Sequence, residues 1–556
     1  MAHEPKKYRS AAILLWVLSA IWTVIATGLG QAQSLLPIKT IALSDKAINA
    51  NQPEEIFGTT LVPAINNDGE VLFQSIVTTT NNPTVGSQAI FLSSDGDFVE
   101  ITRTGESASD LSPDATIASV FDVQFSDSGR IGFLASLQGQ TVSPLNDRAL
   151  FTSNKQTTQL VLKQGDPTHQ QETMDTYVSI LGYEMNSKGK LLINAGVTDS
   201  TGNEAPREVL ISDRSGVLEE VYNDDLAREI TGLDRSFIRI GGFADNGDFR
   251  ALLTVSAPSE PTQLARAGVV EDNGQAEIVY QTGVGEIEGF DDEAEIDYFG
   301  GSFNNTQAVT VGVGIFDSIT GDFIASGLAV VDSNQRRLVS IAGDPISNRP
   351  TLLMDSLNDR NSSNRHGDYA STSVVVDLAN DSQRLLSVLR YFDDQLTSVL
   401  TVGDAAPCQS GSWTTTRLGD PLINDLGQVL FKATISDESG SEDSRQVLYA
   451  TNLQGDVVPI ISSGEQVNVG QPGLDPDMRY VSIIHITSTT FNTNVGRSDG
   501  FNDKGQISFS LTFSDGTSGV FTSNRVAIPE PASTFVLLGV AALSLLQRRA
   551  LKPIAG

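Results

Sequence analysis

The chain of 556 residues has one cysteine, four histidines and three tryptophans. A single cysteine excludes an internal disulfide framework. Cys408 follows Pro407 in mid-chain, so it is no N-terminal lipid anchor and reads as a small buried hydrophobe. The histidines are scattered. His3 lies in the N-terminal segment, His169 in a connection, His366 in a turn and His485 on a strand, where it would face a central channel or simply pack. No His-Glu-x-x-His, paired His/carboxylate spacing, Gly-x-Ser-x-Gly or P-loop occurs, so no metalloenzyme, serine hydrolase or nucleotide site stands out. Positive charge is also short: 36 Lys and Arg face 68 Asp and Glu, a net charge of −32. That balance repels nucleic acid and anionic lipid and favours solubility. Between the termini no long helical periodicity appears.

The ends read differently from the body. Lys6, Lys7 and Arg9 precede an apolar run from Ala12 to Leu29, and Gly30-Gln31-Ala32 offers small residues at the cleavage offsets. This is the pattern of a secretory signal peptide over residues 1–32; an uncleaved anchor helix is the rival. At the other end Ile528-Pro529-Glu530-Pro531 leads into an apolar stretch, Phe535 to Leu546, and then Arg548 and Arg549. Proline separates that helix from the body, twelve apolar residues make a short span, and the Arg pair supplies a cytoplasmic stop. The order of Pro529, Glu530, Pro531, span, Arg548 and Arg549 resembles the PEP-CTERM sorting signal of bacterial surface proteins. That resemblance covers roughly the last thirty residues. It implies recognition by an exosortase-type membrane enzyme, removal of the tail, and residence at the cell envelope or surface; an ordinary tail anchor is the alternative. Without residues 1–32 and 529–556 the balance is 30 basic against 66 acidic residues.

The body, residues 33–524, is organised by one recurring stretch. In Asn424-Asp425-Leu426-Gly427-Gln428-Val429-Leu430-Phe431 an Asn/Asp/Gly turn leads into an alternating strand, a hairpin signature. Related stretches place Gly at 69, 129, 189, 247, 367, 427 and 505, with Gln307 in the remaining copy. The steps are 60, 60, 58, 60, 60, 60 and 78 residues. Asn stands three residues before that position at 66, 186, 304, 364, 424 and 502, and Phe four after it at 73, 133, 431 and 509. These copies resemble the tandem NxxGxxxAF-type repeats of such anchored proteins, a resemblance that carries no assigned activity.

Each period holds four short strands, here a to d: one before the turn, one after it, a third beyond a polar loop, and a fourth ending in a Gly/Asp break. That is the meander of a propeller blade. The seams strengthen the reading. Ile38 to Asp45 has the fourth-strand pattern but no blade of its own, while the last period lacks a fourth strand. The expected fold is therefore all-β: an eight-bladed propeller closed by its N-terminal strand. A linear solenoid or an array of sandwiches would need caps at both ends, and none is visible.

In such a ring the Asn-x-x-Gly and c–d turns share one face, and the longer, more variable b–c and d–a loops share the other. Variable loops on a rigid scaffold usually carry binding. One of them holds Glu286, Glu288, Asp291, Asp292 and Glu293, a run that offers oxygens to Ca²⁺ but lacks the order of a known calcium loop, so a solvated loop is the alternative. The Asn and Asp of the repeat turns fit tight turns rather than metal ligation. Two functions follow as expectations. The first is a non-catalytic surface or matrix protein that binds an exopolysaccharide or a protein. The second is a secreted glycosidase or lyase with channel carboxylates among Asp122, Glu184, Asp297, Asp355 and Asp420.

Overall fold

A computed structural model describes residues 38–527, apart from short internal stretches; those of four residues or more are 169–174, 200–205, 282–293, 304–308, 332–335, 408–411, 438–443, 471–474 and 487–498. The terminal segments expected to direct export lie outside the described residues, except for Arg525 to Ala527. The strands fall into eight antiparallel sheets, and apart from the first strand of the chain, which joins the last sheet, the order along the chain is the order across the sheet. Blade 2 is typical, with strands Thr116–Phe125, Ile131–Gln138, Arg148–Ser153 and Thr158–Lys163.

The closure expected from the seams is present. Blade 8 consists of Met478–His485, Ile507–Phe513 and Ser518–Ser523, and its fourth strand is Lys39–Leu43 from the other end of the chain. Lys39 pairs with Thr522 and Leu43 with Gly519. Just beyond the pairing, the Ser44 N–H donates to the Ser518 carbonyl at 2.7 Å, and the Ser518 N–H donates to Ser44 Oγ at 2.8 Å. Arg479, nearly buried, lies 3.0 Å from Asp477, 3.6 Å from Asp45 and 3.6 Å from Asp515, so one guanidinium joins the incoming strand to the blade it completes.

The repeat motif's phenylalanine has a packing role. Phe73, Phe133, Phe431 and Phe509 sit on second strands directly opposite Phe91, Phe151, Tyr449 and Phe521 on third strands. The ring centroids are 5.4 to 6.1 Å apart and all eight rings are buried. Such a cross-strand aromatic pair contributes about 0.5–1.5 kcal/mol beyond its buried area. Blades 3 to 6 place Ile193/Ile211, Ala251/Val269, Val311/Ala329 and Ser371/Leu389 at the same station, which is why the phenylalanine recurs in only half the copies.

Three refinements to the four-strand meander emerge. Short strands Ala47–Asn49, Pro345–Ile346 and Gln466–Asn468 pair with the free edge of the inner strands of blades 1, 6 and 8. The inner strands of blades 1, 6 and 7 are interrupted, with Ala64–Ile65, Asn361–Ser363 and Leu422–Ile423 resuming the pairing beside the turn. Among the described residues one helix of about two turns, Asp224–Thr231, links blades 3 and 4; Asn223 Oδ1 caps it by accepting from the Leu226 N–H, and Gly232 ends it at φ 68°.

Candidate functional site

The Asn-x-x-Gly turns join the first strand of each blade to the second, so they gather around the axis of the ring. Four of the described asparagines, 186, 364, 424 and 502, do two jobs. Asn424 Oδ1 accepts from the Leu426 and Gln428 N–H groups, holding its own turn. Its Nδ2 donates to the Asn502 carbonyl of the next blade at 3.0 Å. Asn364 repeats this onto the Asn424 carbonyl at 2.8 Å, Asn186 onto Ala244 at 2.8 Å, and Asn502 onto Asn66 at 2.7 Å, across the junction where the ring closes. These asparagines are buried. In blade 2, Ser126 replaces asparagine in the turn, and Arg130 makes the link by donating to the Gly189 carbonyl at 2.6 Å and to Asp213 at 2.9 Å.

The residue after each asparagine forms an inner polar ring. The Asn67 N–H donates to Asp127 at 3.1 Å, the Ser187 N–H to Asp245 at 3.1 Å, the Arg365 N–H to Asp425 at 3.2 Å, the Asp425 N–H to Asp503 at 2.9 Å, and the Asp503 N–H to Asn67 Oδ1 at 2.9 Å. Arg365 is the cation of this ring. Its guanidinium pairs with Asp425 and reaches Asp503, a blade further on, at 3.2 Å. Burial works against its charge, but Asp425, Asp503, Asp245 and Asp127 outweigh that and raise its pKa. The same crowding acts on Asp425: burial first, then Asp503, push its carboxyl up to about 7 against the pull of Arg365.

A raised carboxyl pKa has a definite sign. Asp425 contributes stability that is complete below about pH 4 and is lost as the pH rises through about 7. Asp425→Asn fixes the neutral form and keeps an acceptor for the Arg365 N–H. The variant should match the parent near pH 5 and melt higher than it at pH 8. A melting difference that is constant from pH 5 to pH 8 would show that Asp425 does not titrate in this window.

Chemically, this face is a seal. The ring carboxylates are taken up by backbone N–H groups and by Arg365, leaving little for a substrate. Among the described residues no cluster of three or more His, Cys, Asp or Glu has the geometry to hold a metal ion.

The opposite face presents the b–c and d–a loops. Recurrent Gly-Asp or Gly-Glu breaks anchor the d–a loops: the Thr401 N–H donates to Asp404 at 2.8 Å and the Gly403 N–H to the Thr415 carbonyl of the next blade at 2.8 Å. Arg349 then pairs with Asp404 at 2.6 Å. From this rigid base the b–c loops expose apolar side chains: Val85, Leu145, Phe323 and Leu378 in blades 1, 2, 5 and 6 are 68, 76, 59 and 53 % exposed.

The residues singled out from sequence fall unevenly on this frame. The acidic run of Glu286, Glu288, Asp291, Asp292 and Glu293, the sorting residues Pro529, Glu530, Pro531, Arg548 and Arg549, and His169, Cys408 and Asn304 lie outside the described residues. Asp122 is exposed on the inner strand of blade 2, at φ 47°, and Glu184 and Asp297 also lie on inner strands. Asp355 is bound to Arg384. Asp420 falls between the two parts of the blade 7 inner strand. These five carboxylates belong to five different blades, 2, 3, 5, 6 and 7. His485 ends the inner strand of blade 8, half-buried near Thr512; burial, then nearby Lys432, lowers its pKa. Sequence reasoning assigned the turn Asn and Asp to local turn geometry and missed the blade-to-blade bonds. The signal was the position two before the turn glycine or Gln307, which reads Asn67, Asp127, Ser187, Asp245, Asn305, Arg365, Asp425 and Asp503, a single cation among acceptors.

Eight sheets, each built on four main strands in sequential order, with the first strand of the chain completing the last sheet, define a closed eight-bladed β-propeller. The chain belongs to a family of unknown function, DUF7453, whose profile matches residues 30–225 and 246–535. No curated protein matches it. Solved structures similar to it include the β-propeller domain of the Trilobed protease from Pyrococcus furiosus (9 % identity, TM-score 0.36, 72 % of this chain and 97 % of that one). Two others are a PL25 ulvan lyase (9 %, 0.29, 74 % and 93 %) and the polysaccharide lyase Uly1 (11 %, 0.34, 74 % and 98 %). Likenesses this distant say nothing about activity here.

Proposed function

We propose that this is an exported, surface-anchored, non-catalytic protein that binds an exopolysaccharide or a surface protein through its loop face. The asymmetry of the two faces carries the reading. Over the described turns the turn face is hydrogen-bonded from blade to blade, whereas the loop face combines a rigid base with loops of variable length and exposed apolar side chains. The strongly acidic composition suits a partner other than nucleic acid, with the membrane engaged only through the termini. No resident cofactor is needed; Ca²⁺ held by the acidic run would act as a bridge to the ligand.

Glycan-array binding of the purified protein, with and without Ca²⁺, tests this. Saturable binding to a subset of glycans is expected. Shortened or unsaturated products would replace it with the glycosidase or lyase reading, and silence on glycans would leave only the protein partner.

The export part of the proposal rests on the terminal motifs. Changing Pro529 and Pro531 to Ala, or deleting Arg548 and Arg549, should leave an unprocessed or mislocalised chain. Cell fractionation showing the parental size and location for both variants would remove the sorting signal and its exosortase-type partner. Among the described residues no helix is long and apolar enough to cross a membrane, and the proposed anchoring rests on the terminal motifs.

A further inference from the structure

Trp413 is the only tryptophan beyond the N-terminal segment that holds Trp16 and Trp22. It begins the inner strand of blade 7 at the loop-face end, opposite Asp437, the last residue of the second strand. The indole packs against the blade 7 core, which fixes its orientation. The Arg445 guanidinium lies over its ring, 4.7 Å from the centroid. Arg445 is exposed at the start of the third strand, and among the described residues no carboxylate pairs with it. At the same corner Ser412 Oγ donates to Asp437 at 3.1 Å.

This combination is out of keeping with its surroundings. In a body with more than twice as many acidic as basic residues, most arginines reached by the structure are tied to carboxylates, as Arg349, Arg365 and Arg479 are. An exposed Arg–aromatic stack is weak, so the guanidinium is held loosely enough to be recruited by a ligand. A flat indole offers a surface for the C–H face of a pyranose ring, and a guanidinium forks onto a carboxylate through two parallel hydrogen bonds. Drawn off by a sugar carboxylate, the guanidinium would uncover the indole face it lies over, and the two groups would then match a sugar that carries its own carboxylate.

The geometry points to a subsite on the loop face, built from Trp413 and Arg445 of blade 7, that takes a uronic acid unit of an acidic polysaccharide. It rests on the loop-face reading above and names the ligand class for that face. The surrounding negative charge would hold off the rest of a polyanion, so attraction is local, modest per unit and sensitive to salt.

The test uses the full chain carrying Trp16→Phe and Trp22→Phe, which leaves Trp413 as the only indole. Oligogalacturonate and a neutral gluco-oligosaccharide of equal length are titrated while tryptophan emission and heat are recorded. Oligogalacturonate should change the emission saturably and bind at least about ten-fold more tightly than the neutral chain. Arg445→Gln should weaken that binding about ten-fold with the melting temperature unchanged, and Arg445→Lys should recover only part of it. Heat of oligogalacturonate binding with no change in Trp413 emission, or with full affinity in Arg445→Gln, overturns the subsite and leaves the loop-face reading standing. Equal affinity for the neutral chain overturns the choice of a uronate. No heat with any glycan removes both the subsite and the glycan form of the loop-face reading.

Discussion

Deleting Ile38 to Asp45 should aggregate the protein or lower its melting temperature sharply, although the deletion removes only eight residues from one end. Those residues supply the outer strand of blade 8. Without them the Ser518–Ser523 strand becomes an open edge carrying Val520 and Phe521, which are fully buried in the closed ring. An exposed apolar edge is a template for pairing with another chain. Arg479 would also lose Asp45, and the blade 8 core would lose Leu43, 3 % exposed. Leu43→Ala, which keeps the strand and its ladder, should cost about 2–4 kcal/mol by cavity formation alone. Thermal melts and light scattering on the two variants check this. A deletion variant that melts like the parent would mean that closure contributes nothing to the ring.

Gly427→Val should be strongly destabilising while leaving ligand binding by the folded fraction intact. Gly427 has φ 70°, a conformation that costs a β-branched residue about 1–3 kcal/mol. A Cβ there also runs into the Phe392 ring from the c–d turn of the preceding blade, so overpacking adds about 1–3 kcal/mol. The strain falls on the sealed face. Neutralising Glu288, Asp291, Asp292 and Glu293 to Gln or Asn should do the reverse, because a smaller net charge lowers self-repulsion while the loop loses its ligand oxygens. Denaturant midpoints and ligand titrations on both variants separate the effects. Folded Gly427→Val protein that has lost binding, beside an acidic-loop variant that keeps it, would reverse the assignment of the faces.

Much of this architecture is legible in the chain because the contacts that specify it are local. The turn signature is set by residues within four positions of one another, as in Asn424 and Gln428, so its period of about 60 residues counts the blades directly. The spare strand at Ile38 to Asp45 betrays the closure because a strand without a hairpin partner has to find one elsewhere. Contacts between blades leave no such trace. Asn424 and Asn502 are 78 residues apart, and nothing near either in sequence says that one amide caps the other's turn. Arg365 looks like an ordinary turn residue until the ring brings Asp425 and Asp503 to it. The helix Asp224–Thr231 carries its caps in Asn223 and Gly232 but is too short to show a period. The Trp413–Arg445 stack joins residues on two strands whose register only the folded blade sets.

Hydrogen exchange on the protein with and without saturating oligogalacturonate measures the claim that the loop face does the binding. Protection confined to the blade 7 loop-face segments, Ala405 to Leu418 and Ser436 to Gln446, together with loops of neighbouring blades on that face, is the predicted result. Protection concentrated instead in the turns at Asn424 to Gly427 and Asn502 to Gly505 would place the ligand on the sealed face and contradict the account.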